Sequence, residues 1–319
     1  MQMNKSALIK KILLSASVFI VILFELLKYL YSVRLISVAS FAEVVLAVIS
    51  VFCLFSAKRS FKTAAALLLA FALITFIPNM IIGFNKTEAQ SSPQYVIHAG
   101  GRERADKTYL NCGEPLEKYL AEGQKLVEID FMLTSDGYVV CTHWFEHTPY
   151  SKKNRPTLAE FMSYEIGGSY KAMSFEGLAE ILQKYPQARI VFDSKEDDII
   201  KILSVMCSVA ENKGLDIYSR FVIQIYSADD YYNVKARFPK FAEYWFTNYK
   251  ASYPFAKMLR LFDDKEDITT YVICKESWCC YALCMLKTDK NIAVHTENLS
   301  VNSKFYCERG VTYVYADYV

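Results

Sequence analysis

Residues 95–319 alternate short extended runs with helix-patterned stretches, and this rhythm restricts the possible folds more than any other feature of the chain. The extended candidates are Tyr95–His98, Leu126–Phe131, Tyr138–Thr142, Arg189–Asp193, Phe221–Tyr226, Tyr244–Thr247, Thr270–Cys274, Ile292–His295 and Thr312–Tyr315. They are rich in β-branched and aromatic residues, which suit a pleated, half-buried surface. Helical periodicity falls between most of them, as over Phe175–Lys184, Asp197–Lys213 and Asp229–Arg237. Such alternation argues for a parallel α/β architecture, and a stretch of this size suits a (β/α)8 TIM barrel. Nine extended runs is one too many. Tyr138–Thr142 is therefore read as half of a hairpin turning at Ser135-Asp136-Gly137. The chain stops four residues after Tyr315, so no helix is expected to follow the last strand.

The first part of the chain reads differently. Thr63–Phe84 is uncharged throughout, and its length as a helix, about 33 Å, is enough to cross a bilayer core. Leu35–Ala57 is comparable but carries Glu43, and Ile12–Phe24 continues apolar past Glu25 to Leu30. Residues 1–84 are thus expected to form a transmembrane anchor of three helices, at about 7–30, 35–57 and 63–84. No small-residue cleavage site follows the first stretch, which argues against a signal peptide. An acidic residue at a helix centre costs about 2.5–3.5 kcal/mol on insertion scales, so Glu25 and Glu43 are expected to face other helices or lie off-centre.

Lys5, Lys10, Lys11, Lys58, Arg59 and Lys62 flank one side of these spans, against Lys28, Arg34 and Lys86 on the other. The positive-inside rule then places the N-terminus inside and everything after residue 84 outside. The expected location is the cell membrane, multi-pass, with the large domain on the extracytoplasmic side. Residues 85–94 are polar with one Pro and read as a linker to a domain at 95–319.

A formal net charge of +2 gives no support for a nucleic-acid groove, which ordinarily needs a strongly basic face. The nine cysteines show no paired spacing of the zinc-binding kind. Free buried thiols are expected rather than disulfides, because scattered cysteines in a large domain behave as small hydrophobes.

Chemistry concentrates where apolar strand runs end. Tyr-Val-Ile-His98, Val-Val-Cys-Thr-His143 and Ile-Ala-Val-His295 end on histidine, and Ile-Val-Phe-Asp193 ends on a carboxylate. Leu-Val-Glu128-Ile-Asp130 puts two carboxylates at i and i+2, on one face of a strand. In a barrel the C-terminal strand ends converge on one mouth. Three carboxylates there suit Mg²⁺ or Ca²⁺, and two histidines beside such an ion can serve as general base and general acid.

His98-Ala-Gly-Gly, followed by Glu128-Ile-Asp130-Phe-Met-Leu-Thr-Ser-Asp136-Gly137-Tyr-Val-Val-Cys-Thr-His143, resembles the glycerophosphodiester phosphodiesterase family. The signature of that family runs His-Arg-Gly, Glu-x-Asp, a Thr-x-Asp-Gly turn and Val-Val-x-His-Asp. The resemblance implies a phosphatidylinositol phospholipase C-like TIM barrel. It makes His98 and His143 the catalytic pair, and Glu128, Asp130 and Asp193 the ligands of a divalent ion, Mg²⁺ or Ca²⁺. Lys195, Gln224 and His295 match further barrel-mouth positions and are candidate substrate-binding residues.

There are departures. The Arg of His-Arg-Gly is Ala99, for which Arg102 or Arg104 is a candidate substitute on the phosphate. The acidic residue of the family's Glu-Asn-Thr motif is missing around Asn111. The Asp that follows the second histidine is Trp144, which removes the carboxylate expected to orient His143. The function implied is hydrolysis of glycerophosphodiesters or related phosphodiester headgroups, lipid-derived or from an envelope polymer. The alternative is a catalytically weakened barrel acting as a binding or sensory module at the membrane surface.

Overall fold

The computed structural model describes residues 92–102, 109–249, 252–275 and 288–319. The expected anchor helices at 7–30, 35–57 and 63–84, most of the linker, Arg104 and the cysteines at 279, 280 and 284 lie outside the described residues. Among the described residues no helix is long and apolar enough to cross a membrane.

The strands are β1 (Gln94–Ile97), β2 (Leu126–Leu133), β3 (Val139–Cys141), β4 (Glu165–Ile166), β5 (Tyr170–Lys171) and β6 (Arg189–Ser194). They continue with β7 (Phe221–Ile225), β8 (Tyr244–Asn248), β9 (Ile268–Cys274), β10 (Asn291–His295) and β11 (Tyr313–Ala316). The main sheet runs β1-β11-β10-β9-β8-β7-β6-β2, and β1 also pairs with β2, so eight parallel strands among the described residues close on themselves. Closure leaves this ring without edges, the standard solution to unpaired backbone groups. Every extended run read from the sequence lies on one of these strands. β3 is the hairpin partner, antiparallel to β2 with Phe131 opposite Cys141. The short β4–β5 ribbon was not expected.

The helices are α1 (Gly113–Ala121), α2 (Leu158–Met162), α3 (Phe175–Lys184), α4 (Ile199–Lys213), α5 (Ile217–Arg220), α6 (Ala228–Arg237), α7 (Phe255–Phe262) and α8 (Ser300–Cys307). The barrel unit comprises residues 93–275, 288–298 and 311–319, and α8 belongs to a second unit. Helix ends follow local chemistry. The Ser174 side chain accepts from Gly177 N to start α3, and Asp198 accepts from Ile200 N and Lys201 N to start α4; such caps satisfy otherwise orphaned amides. Gly214, at φ 67°, stops α4 in the left-handed conformation that glycine adopts without a Cβ penalty. Helix α3 buries Phe175, Leu178, Ala179, Ile181 and Leu182, one face at helical spacing. Each large apolar side chain buried this way contributes about 1.5–3 kcal/mol.

The barrel interior explains where the polar residues go. Val96, Val191, Val222, Trp245, Val272, Ala293 and Tyr315 form one buried cluster. Alternate residues of a strand share a face, so the position two residues beyond each also points inward, nearer the C-terminal mouth. From Val96 that position is His98, from Val191 Asp193, from Val222 Gln224, from Trp245 Thr247 and from Ala293 His295. On β2 the same face reads Leu126, Glu128, Asp130. The lumen is a packed apolar plug below and a polar site above.

Candidate active site

Asp130 and Asp193 sit side by side in register on β2 and β6. With Glu128 they form a buried cluster in which one oxygen from each lies within 4.8 Å of the others. Burial raises the Glu128 carboxyl well above its ordinary value, with Asp130 and Asp193 adding to the rise. Burial also raises Asp193. Asp130 goes the other way: burial opposes it, but Lys195, His143, His98 and a hydrogen bond from Asn111 together lower it. Lys195 Nζ lies 2.9 Å from Asp130 Oδ1 and 2.6 Å from Asp193 Oδ2. Glu128 Oε1 and Asp193 Oδ1 are buried and accept no hydrogen bond. An unpaired buried carboxylate oxygen is costly, and all-oxygen donors of this kind suit a hard divalent cation such as Mg²⁺ or Ca²⁺. Glu128, Asp130 and Asp193 therefore fit a metal.

Each of the two motif histidines is held by a carboxylate. His98 Nδ1 donates to Asp317 Oδ1 at 2.6 Å, which leaves Nε2 on the cluster side, 3.9 Å from Glu128 Oε2. Asp317 in turn accepts from Asn298 Nδ2 at 2.7 Å and pairs with the Arg102 guanidinium at 2.9 Å. His143 arrives on the hairpin: Thr142 N donates to Asp130 O, so the residue after it stands beside the carboxylate cluster. Its Nδ1 donates to Glu146 Oε1 at 2.7 Å, and the other oxygen of Glu146 accepts from Trp144 N at 2.6 Å. Both imidazoles are thereby fixed through Nδ1, leaving Nε2 for chemistry.

His98, His143, Glu128, Asp193 and Lys195 line one cavity of ≈ 360 Å³. His295, on its wall, meets His98 edge-on with ring centroids 4.8 Å apart. Burial, with His98 and Lys195 adding, lowers the His295 imidazole to about 3. The neutral imidazole is thereby favoured, with one ring nitrogen as donor and the other as acceptor. Gln224 also lines the cavity, with both ends of its amide engaged. Tyr315 Oη donates to its Oε1 at 3.1 Å, and its Nε2 donates to Tyr226 Oη at 2.7 Å. Tyr226 Oη passes a hydrogen bond on to Asp193 Oδ2 at 2.8 Å. This relay holds the Asp193 carboxylate from behind.

No family model and no curated protein sequence matches the chain. Solved structures do. A glycerophosphodiester phosphodiesterase from Parabacteroides distasonis matches with a TM-score of 0.55 at 15% identity, over 71% of this chain and 94% of that one. A phosphodiesterase from Oleispira antarctica, solved with the product sn-glycerol-3-phosphate, matches with a TM-score of 0.57 at 16% identity, over 71% and 94%. One from Thermotoga maritima gives 0.53 at 17% identity, over 72% and 96%. The chain has the fold of the glycerophosphodiester phosphodiesterases.

On that fold the structure brings His98, Glu128, His143, Asp193, Lys195, Gln224 and His295 to one cavity, and Asp130 joins Glu128 and Asp193 in the carboxylate cluster. Lys195 is mostly buried, between two of the carboxylates. Two expectations need correcting. Arg102 does not line the cavity, because its guanidinium is buried against Asp317. His143 does not lack an orienting carboxylate. Phe145, at φ 61° with its ring buried against Phe161, folds the chain back so that Glu146 takes the place Trp144 leaves. Asn111, in the motif that lacks its acid, exchanges two hydrogen bonds with Asp130, side chain to side chain and backbone to side chain. Asp317, Glu146 and Tyr226 were missed. Asp317 carried a signal that was overlooked, since it stands two residues after the inward Tyr315 at a strand end. Glu146 carried none, because its role depends on a turn.

Proposed function

We propose that the barrel is a metal-dependent phosphodiesterase that hydrolyses glycerophosphodiesters or related phosphodiester headgroups. The observation that carries this reading is the pairing on one cavity of two carboxylate-held imidazoles with a three-carboxylate cluster that has unpaired buried oxygens. Glu128, Asp130 and Asp193 would hold Mg²⁺ or Ca²⁺, which when bound supplies Lewis-acid polarisation of the phosphoryl group and neutralises developing charge. Of His98 and His143, one takes a proton at Nε2 from the attacking water as its oxygen bonds to phosphorus. The other gives its Nε2 proton to the departing alkoxide as the second phosphorus–oxygen bond breaks. Asp317 and Glu146 stabilise whichever imidazole is charged at that moment. Lys195 holds positive charge beside the phosphoryl position.

The test is turnover of bis(p-nitrophenyl) phosphate and glycerophosphodiesters by the full-length protein with Mg²⁺, Ca²⁺ or EDTA. Metal-dependent hydrolysis that disappears in His98→Ala and Glu128→Ala is the expected result. No turnover with any metal, together with retained phosphate binding, would leave the binding-module reading in its place. The anchor belongs to the same proposal: apolar stretches at 7–30, 35–57 and 63–84 hold the barrel on the extracytoplasmic face of the cell membrane, where lipid headgroups or envelope polymers are at hand. Added protease should degrade the barrel in intact cells; full protection would place it inside.

A further inference from the structure

Ala99 has no side chain to reach a phosphate, and Arg102 is turned to Asp317. Another residue stands where a donor is needed. Tyr109 lines the cavity between the two acid–base histidines. Its ring stacks on His143 with centroids 4.4 Å apart and an interplanar angle of 25°, and it meets His98 edge-on at 5.2 Å. The backbone there has φ 53°, a left-handed conformation that costs a bulky non-glycine residue on the order of 1–3 kcal/mol and is found mostly at functional sites.

The segment is anchored close by. Asn111 N donates to Ala99 O at 2.8 Å, and the Asn111 side chain bonds Asp130 twice. The phenol is thus fixed relative to both histidines and to a metal ligand. The ring uses one face and an edge on imidazoles, and among the described residues its hydroxyl makes no hydrogen bond. Burial and the charge of Asp130 keep that hydroxyl protonated. It is a neutral donor on a residue that lines the cavity.

Resting on the phosphodiesterase reading, we propose that Tyr109 is a catalytic residue whose hydroxyl donates a hydrogen bond to a non-bridging phosphoryl oxygen. Displacement at phosphorus builds charge on those oxygens, and a positioned neutral donor stabilises it without adding a second full charge beside His98 and His143. In this barrel the phenol does, from the following loop, what a side chain at position 99 cannot.

Tyr109→Phe is the decisive variant, because it keeps both ring contacts and removes only the hydroxyl. With the full-length protein and Mg²⁺, kcat for bis(p-nitrophenyl) phosphate should fall about 10²-fold, the size typical of losing one transition-state donor. Affinity for inorganic phosphate should fall about tenfold by calorimetry, while the melting temperature stays that of the wild type. A purely structural role predicts full rescue by Phe, so wild-type kcat and phosphate affinity in Tyr109→Phe would overturn the proposal. If the wild type turns over nothing, the phosphodiesterase reading fails by itself. The phosphate titration still decides whether Tyr109 is a phosphoryl contact: weaker binding in Tyr109→Phe supports it, and equal or absent binding ends it.

Discussion

Two carboxylates that the strand-end motifs do not include hold His98 and His143 in place, and they do so in unequal surroundings. Asp317 is mostly buried, with His98 on one oxygen and Arg102 and Asn298 on the other. Glu146 sits on a more open turn. Asp317→Asn should cut kcat about 10- to 100-fold and also destabilise the fold, because Arg102 loses its carboxylate in a buried setting. Glu146→Gln should lower kcat comparably with little change in melting temperature. Kinetics and thermal melts of both variants check the contrast; equal stability losses would refute it.

The pH dependence at Asp317 has a definite sign. Burial would raise its carboxyl, but the bond to His98, with Asn298 and Arg102, holds it down to about 2, against an ordinary 3.8. A carboxylate depressed in the folded state adds stability that is fully present above its unfolded value and is lost as pH falls through the folded one. The gap is worth about 2 kcal/mol at one protonation unit per 1.36 kcal/mol. The stability advantage of wild type over Asp317→Asn, measured by urea unfolding, should therefore shrink as pH falls through the window from 3.8 to about 2. An advantage that persists at the acid end would show that Asp317 contributes by packing alone.

At the scale of elements, the loops that leave the strands matter as much as the strands. After β1 the chain makes a tight turn at His98–Gly100, and Ala99 N donates to Glu128 Oε2 at 2.7 Å. Gly101 completes the turn at φ 85°, and a Cβ there would meet the Tyr119 ring at 2.3 Å and the Ile97 side chain at 2.9 Å. Tyr119 cannot swing away freely, because its hydroxyl donates to Arg102 O at 2.8 Å. Gly101→Ala should cost about 2–4 kcal/mol from strain and overpacking together. It should also lower activity further than its loss of stability explains, since His98 rides on the same turn. Wild-type melting temperature and kcat in this variant would show the turn to be adaptable.

These elements also mark how far the sequence could be read. The strands were legible because apolar and aromatic residues alternate within them, and β2, β6 and β10 end in groups that no apolar core accepts. Phe175–Lys184 was read to its true ends because Ser174 caps it and Tyr185-Pro186 follows. The two-residue strands β4 and β5 are too short to show any periodicity. Glu146 was illegible for a different reason: its reach to His143 depends on Phe145 adopting a positive φ, which bulky residues rarely do. Arg102 was misassigned because counting positive charges near a motif says nothing about which carboxylate the fold brings to meet them.

For the whole barrel, the candidate site lies beside the most sparsely paired seam among the described residues. β2 and β6 pair from Leu126–Arg189 through Phe131–Ser194, whereas β1 and β2 meet at a single position, Ile97 opposite Val127. Side-chain chemistry reinforces that closure, through Ala99 N on Glu128 and Asn111 on Asp130. A divalent cation on Glu128, Asp130 and Asp193 would tie the same place together, satisfying oxygens that Lys195 alone leaves unpaired. A ligand that binds only the folded state stabilises it by about 2.7 kcal/mol at a hundredfold excess over Kd, which in a domain of this size raises the melting temperature by roughly 5–10 °C. Adding Mg²⁺ or Ca²⁺ to EDTA-treated protein should produce that rise, and Glu128→Gln should abolish it. Lys195→Met separates the lysine from the metal. Without it Asp130 and Asp193 lose the ammonium that pairs with both, so the EDTA-treated variant should melt below wild type while its metal-induced rise becomes larger. A rise of unchanged size would mean that Lys195 and the metal do not share these carboxylates.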